Sequence, residues 1–334
     1  MRRSVWRRYI LHILFGVLAV VVGASMLYSS QEPFKSGDET DCKYVSSLGI
    51  LKSCEVRSSV PTSSITGLTG YDFSKIVDGS VVYVASSAIP AFVKEFASIS
   101  KRIVLVTGDA DQSVPDDVFS SNEAFIEFIE NDKIIHWFSQ NCVKTHRKLT
   151  QIPIGLDYHT MSKKNHRWGF KTSPVEQEKE LLALRKGAPE FHKRKPMCYS
   201  NFHFNYKGSK FGNDRADAIE SIPKELIFYE PDQVARAKSW KAMTEYAFVP
   251  SPAGNGLDCH RTWEALCLGC IPIVKTSALD PLYTDLPVLI VNEWSDVTQT
   301  KLENTIREFR GRTFNYDRLL LSYWVNMIKA ATKN

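Results

Sequence analysis

Between residues 250 and 264 the chain runs through a glycine-bearing loop, Ala253-Gly254-Asn255-Gly256, then Asp258, and then His260, Arg261 and Glu264. An arginine suits a phosphate, because its planar guanidinium grips two oxygens at once. A carboxylate one helical turn further on suits the paired hydroxyls of a ribose. A loop that feeds a helix adds unpaired backbone N–H groups and a partial positive charge, which favour a diphosphate. Gly254, Asn255, Asp258, His260, Arg261 and Glu264 therefore predict a nucleotide site. A second group of interest is Asp109-Ala110-Asp111. Paired carboxylates can hold a divalent cation against a diphosphate, or one of them can act as a general base, or the segment is a solvated acidic turn. All three readings stay open on the sequence alone.

These residues need positioning elements. Residues 246–249 read as a strand, 250–257 as a Pro/Gly loop, 259–268 as a helix, and 271–274 as a second strand. Asp258 is expected to cap the helix start and Gly269 its end, in the left-handed conformation. Pro272 marks an edge or early strand position. In the first half, strands are expected at 81–85, 102–107 and 133–137, and helices at 89–97 and 123–131. Residues 151–157 read as a strand ending in a turn, with Asp157 capping the turn or facing a cleft. Further on, 176–184 is an amphipathic helix and 186–195 a basic connector with a solvated charge cluster at 192–195. The second half then alternates strands at 197–202, 226–229 and 288–291 with helices at 214–221, 231–244 and 297–310, and 317–331 closes the chain as a helix. Val234, Ala237, Trp240 and Met243 form a core stripe on the 231–244 helix. Such alternation predicts α/β architecture with parallel sheets covered on both faces, and ligands beyond the C-terminal strand ends.

At 334 residues with 43% hydrophobic content, the chain suits two domains of ordinary size. Its formal charge of +5 is mild, and Arg2, Arg3, Arg7 and Arg8 supply four of those charges. The remainder is near neutral, which argues against a nucleic-acid partner. Residues 9–28 form an apolar run of the length of a bilayer-spanning helix, behind a basic N-terminus. A retained anchor with a cytosolic tail is the expectation, with a cleaved signal peptide as the rival. Cys42 and Cys54 form a disulfide or remain two free buried thiols, and the other cysteines make no zinc pattern.

Arg261, Glu264, Ala265, Leu266, Gly269, Cys270, Ile271 and Pro272 fall in a pattern that resembles the nucleotide-sugar motif of exostosin-like glycosyltransferases. The resemblance is dense over 248–274 and looser elsewhere. It implies the GT-B fold, two Rossmann-like domains facing each other across a cleft, preceded here by a single transmembrane helix. The expected division is a cytosolic tail at 1–8, the anchor at 9–28, a stem at 29–41, an acceptor domain at 42–185, a nucleotide-sugar domain at 186–312, and a helix at 313–334 crossing back to the first domain. The implied activity moves a sugar from a nucleotide-diphosphate sugar, expected to be a UDP-sugar, to a hydroxyl of a glycan or glycoprotein in the Golgi or ER lumen. Inversion, no cofactor and no metal go with that implication, and Asp109 or Asp111 would be the base. The resemblance also implies that the loop after the 197–202 strand lies over the donor, which makes Lys207, Lys210 and Arg215 candidates for the diphosphate, Arg215 preferred because lysine offers only a point charge. Gln140 and Asn141 would hydrogen-bond the acceptor sugar, whereas Trp137 and Phe138 read as core. Cys259-His260 stands where the family commonly has Ser-Phe, so donor specificity can differ. Two alternatives stand beside this: a GT-A enzyme using Asp109 and Asp111 with a metal, and a catalytically silent relative.

Overall fold

The structure is a computed structural model that describes residues 37–202 and 210–333. The apolar run at 9–28, its flanking tail and most of the stem lie outside the described residues, as does Lys207. Among the described residues no helix is long and apolar enough to cross a membrane.

In chain order the regular elements are α1 (Ser47–Lys52), β1 (Ser80–Ala85), α2 (Ile89–Glu95), β2 (Ile103–Gly108), α3 (Asn122–Glu130), β3 (Ile134–Ser139), β4 (Leu149–Gln151), α4 (His159–Lys163) and α5 (Pro174–Gly187). There follow β5 (Lys195–Ser200), α6 (Asp214–Ser221), β6 (Ile227–Tyr229), α7 (Arg236–Met243), β7 (Tyr246–Pro250), α8 (His260–Cys267), β8 (Ile271–Lys275), β9 (Leu289–Val291), α9 (Gln299–Arg310) and α10 (Leu321–Ala331). They build two all-parallel sheets, ordered β1-β2-β3-β4 and β6-β5-β7-β8-β9.

Strand pleating sorts the side chains. In β1 and β2, Val81, Tyr83, Val104 and Val106 face a core shared with the second sheet, whereas Val82, Val84, Ile103 and Leu105 face an outer core. The shared core continues through Phe138, Tyr199, Val249, Trp263 and Trp324 without a break. Trp137 and Phe138 are both buried, as their core reading requires. Pro272 is the second residue of β8 and precedes the pairing with β9, which begins at Ile273, so its missing N–H removes no bond on that side. The left-handed C-cap falls on Gly269, with φ +75.

Three expectations about the elements need correction. The helix expected at 231–244 begins only at Arg236, with Ala235 extended as its N-cap, so Val234 lies outside it and faces the cleft described below. The closing helix is interrupted at Leu320, which leaves the helical path to bridge Tyr44, and only Leu321–Ala331 is α-helical. Arg194, assigned to a solvated cluster, is buried and donates to Leu268 O at 2.9 Å and Pro189 O at 2.8 Å, which satisfies the carbonyl end of α8. Of the two readings open for Cys42 and Cys54, the structure has the free buried thiols, which donate to the carbonyls of Asp38 and Ile50. Residues Gly37–Asn334 form one compact unit with its own core.

Candidate functional site

The first sheet runs in sequence order and has no point where its winding reverses. In the second, β5 leads to β6 on one side and to β7 on the other, so a crevice opens beyond the C-terminal ends of β5 and β7. A cleft of about 270 Å³ lies there. Asn201 just past β5 and the loop after β7 supply one wall, and residues of the first half supply the other.

Of the residues singled out in sequence, Asp111, Asp157, Arg215, Gly254, Asn255, Asp258, His260, Arg261 and Glu264 line this cleft. Asp109 does not line it.

Asp258 is not the helix cap. The N-cap of α8 is Cys259, and no side chain caps the helix start. One Asp258 carboxylate oxygen accepts the Ile154 N–H at 2.7 Å and the other the Trp263 Nε1–H at 2.8 Å. Its own N–H donates to Asn141 Oδ1 at 2.8 Å. With both oxygens occupied, Asp258 works as a bolt between the two halves. Burial pushes its carboxyl up to about 6, against the opposing hydrogen bonds from Ile154 and Trp263.

His260, the first residue of α8, has Nδ1 2.7 Å from the Gly155 carbonyl. A carbonyl only accepts, so Nδ1 carries the proton, and in the neutral ring Nε2 is an acceptor. Its positive form opposes the rise that burial causes at Asp109, Asp111 and Asp258 and helps to hold Asp157 down. Gly155 has φ +66, and a Cβ there would stand 2.1 Å from Val45 O, so this turn admits glycine.

Asp109 and Asp111 are held by different partners. Asp109 ends the β2 exit with φ +53, is 7% exposed, and accepts the Ser63 hydroxyl at 3.0 Å. Burial pushes its carboxyl up to about 6, the Ser63 bond opposing. Asp111 faces the cleft, with its carboxyl raised by burial against the charge of His260 and a hydrogen bond from the Asn255 side chain. Gln140 and Asn141 are used within the fold: Gln140 Oε1 accepts the Asp109 N–H at 3.1 Å, and Asn141 accepts from Asp258.

On the second half, Arg215 sits in the first turn of α6, buried against the loop, where a Cβ at Gly254 would come within 2.7 Å of its Nη2. Asp214 beside it accepts the Ala253 N–H at 2.7 Å and fixes the loop to α6. The Arg261 guanidinium lies 5.2 Å from the Phe202 ring centroid. Lys210 is engaged elsewhere, reaching both oxygens of Asp117 at 2.9 and 3.1 Å.

Sequence reasoning missed a buried ionic group beside Glu264. Arg236 donates to the Asp157 carbonyl and, at 2.8 Å, to Gln177 Oε1. Its Nη2 is 3.5 Å from Asp157 Oδ2, and its Nε is 3.9 Å from Glu264 Oε1. The guanidinium lies over the Trp168 ring at 4.6 Å. Burial alone would raise the Asp157 carboxyl, but His260, His159 and Arg236 together hold it well below the usual range. Asp157 also accepts the Thr160 N–H at 2.9 Å, so it is both a turn cap and a cleft residue.

No known family matches the chain, and no curated protein of similar sequence is found. The exostosin-like resemblance thus receives no match of its own. Among solved structures, the chain is similar to an α1,3-fucosyltransferase, at 12% identity and TM-score 0.40, over 79% of this chain and 80% of that one. It is also similar to an α,α-trehalose 6-phosphate synthase from Burkholderia multivorans, at 13% identity and TM-score 0.37, over 78% and 73%. A third is the E. coli trehalose-6-phosphate structure bound with UDP-2-fluoro glucose, at 10% identity and TM-score 0.34, over 77% and 72%. At these scores the likenesses do not fix a family.

Proposed function

We propose that the chain is a glycosyltransferase of the GT-B type, which moves a sugar from a nucleotide-diphosphate sugar, a UDP-sugar in our reading, to a hydroxyl of a glycan or glycoprotein. One observation carries the reading: Arg215, Arg261, Glu264 and Asp111 line a single cleft at the only reversal of strand order in either described sheet. Arg215, Arg261 and the uncapped start of α8 would hold the diphosphate and take up the charge that builds on it as it leaves. Glu264 would bind the ribose hydroxyls. Of the two carboxylates considered as base, Asp111 is the better placed, since Asp109 is buried on Ser63 away from the cleft. Asp111 would take the acceptor proton as that oxygen attacks the anomeric carbon and the bond to the diphosphate oxygen breaks, which inverts the centre. No metal enters this scheme. The apolar run at 9–28 would anchor the enzyme in a Golgi or ER membrane with residues 42–334 in the lumen, the halves dividing near residue 186.

The test is thermal stabilisation of residues 37–334 by nucleoside diphosphates and their sugars, with and without EDTA. At a hundredfold excess over Kd, a ligand of the folded state adds about 2.7 kcal/mol, or roughly 5 °C for a chain of this size. We expect one nucleotide to give this shift regardless of EDTA, with the shift lost in Glu264→Ala. A shift that requires metal and survives Glu264→Ala would move the chemistry to Asp109 and Asp111. Asp111→Asn separates turnover from binding: it should keep the donor shift and lose transfer by about a hundredfold or more.

A further inference from the structure

From Tyr158 to Val175 the chain holds four cations, Lys163, Lys164, Arg167 and Lys171, and no acidic residue. All four are exposed, and they flank Phe170, which is 82% exposed, more than any other large apolar side chain described. An isolated exposed apolar residue is ordinary. Here the backbone holds it outward. His166 and Gly169 exchange backbone hydrogen bonds of 3.0 and 2.9 Å, the Lys171 N–H donates to Asn165 Oδ1 at 2.8 Å, and the Thr172 N–H donates to Met161 O at 3.0 Å. The Trp168 carbonyl accepts the Arg236 N–H at 2.8 Å, which fastens the hairpin to α7. So tied, the tip does not fold Phe170 back onto the protein. The charge is felt locally: burial and then Arg167, Arg236 and Lys164 lower the His166 pKa, with Asp157 opposing.

We propose that this hairpin, residues 163–171, docks the unit on an anionic bilayer surface, with the lysines among the lipid headgroups and Phe170 at the acyl boundary. Charge complementarity selects a negative surface, and an aromatic ring held out among cations selects one with an apolar interior, which a soluble polyanion lacks. Arg167 and Trp168 of the same hairpin line the cleft, so docking turns the cleft mouth toward the membrane. Nothing in this assignment depends on the reaction proposed above.

The experiment uses residues 37–334, which lack the apolar run, in sedimentation with phosphatidylcholine vesicles with and without phosphatidylserine. Wild type should bind only the phosphatidylserine vesicles and release as salt rises. Each cation near the surface contributes roughly fivefold in affinity. Replacing Lys163, Lys164 and Lys171 together by Ser should therefore weaken binding by about a hundredfold. Phe170→Ser should also weaken it, both variants melting as wild type does. In Phe170→Trp, the new indole should give a blue-shifted emission on binding. Absence of binding to phosphatidylserine vesicles at low salt overturns the proposal. Binding that depends on the lysines but ignores Phe170, and is competed equally well by heparin, would assign the cations to a soluble acidic polymer and overturn it too.

Discussion

Asp109 and Asp111 are one residue apart, yet the left-handed turn at Asp109 sends one carboxyl into the protein and the other into the cleft. The buried pair, Asp109 and Asp258, has a measurable consequence. Both carboxyls are raised to about 6 by burial, whereas in the unfolded chain they ionise near 3.8. Between those values the folded state binds more protons than the unfolded one, so stability falls as pH rises from about 4 to 6 and then levels off. Asp157 acts in the opposite sense, because its carboxyl is depressed, and it loses stability only at pH below that window. Each raised group contributes at most about 3 kcal/mol. Asp109→Asn should flatten part of the decline, since asparagine tolerates the φ of +53 and carries no charge to bury. Melting temperatures of wild type and variant at pH 4, 5, 6 and 7 check this, and parallel profiles would contradict it.

At the scale of elements, the approach of α6 to the loop after β7 decides where Arg215 lies. A methyl at Gly254 would meet Nη2 at 2.7 Å, the far end of a flexible side chain, so Gly254→Ala should fold and swing the guanidinium out of the cleft. Loss of one charged hydrogen-bonding group predicts donor affinity lower by about tenfold or more, with stability within about 1 kcal/mol of wild type. Titration of the stabilising nucleotide against both proteins reads this directly, and equal affinities would remove Arg215 from the site. The strand–loop–helix–strand around Arg215's partner loop was legible in sequence, because strand period, turn residues and the Gly269 cap all agree there. Arg236 was not. It follows an extended segment that apolar spacing assigned to a helix, and nothing local marks an arginine whose partners lie at Asp157 and Gln177. Asp258 misled for the same reason, since its cap-like position conceals partners at Ile154 and Asn141, more than a hundred residues away in the chain.

At the scale of the whole molecule, the two sheets do not behave as beads on a string. The core that includes Val104 and Val106 of the first sheet continues into Val249 and Trp263 of the second, and α10 adds Trp324 and Ile328. Polar ties span the same junction at Asp258, His260 and Arg236. Separating the halves would expose this shared apolar surface and strand the buried Arg236 and Asp258, each costly to leave unpaired. Residues 37–334 should therefore unfold in one transition, with calorimetric and van't Hoff enthalpies equal. Trp324→Ala is the sharpest probe, because its ring is 2% exposed and its Nε1 donates to Arg318 O at 2.8 Å. It should lower stability by about 3–5 kcal/mol and shift the whole transition together. If the first half instead melted apart from the second, the junction would be a hinge between independent domains. The cleft would then open without breaking a core, and ligand binding rather than packing would hold its walls together.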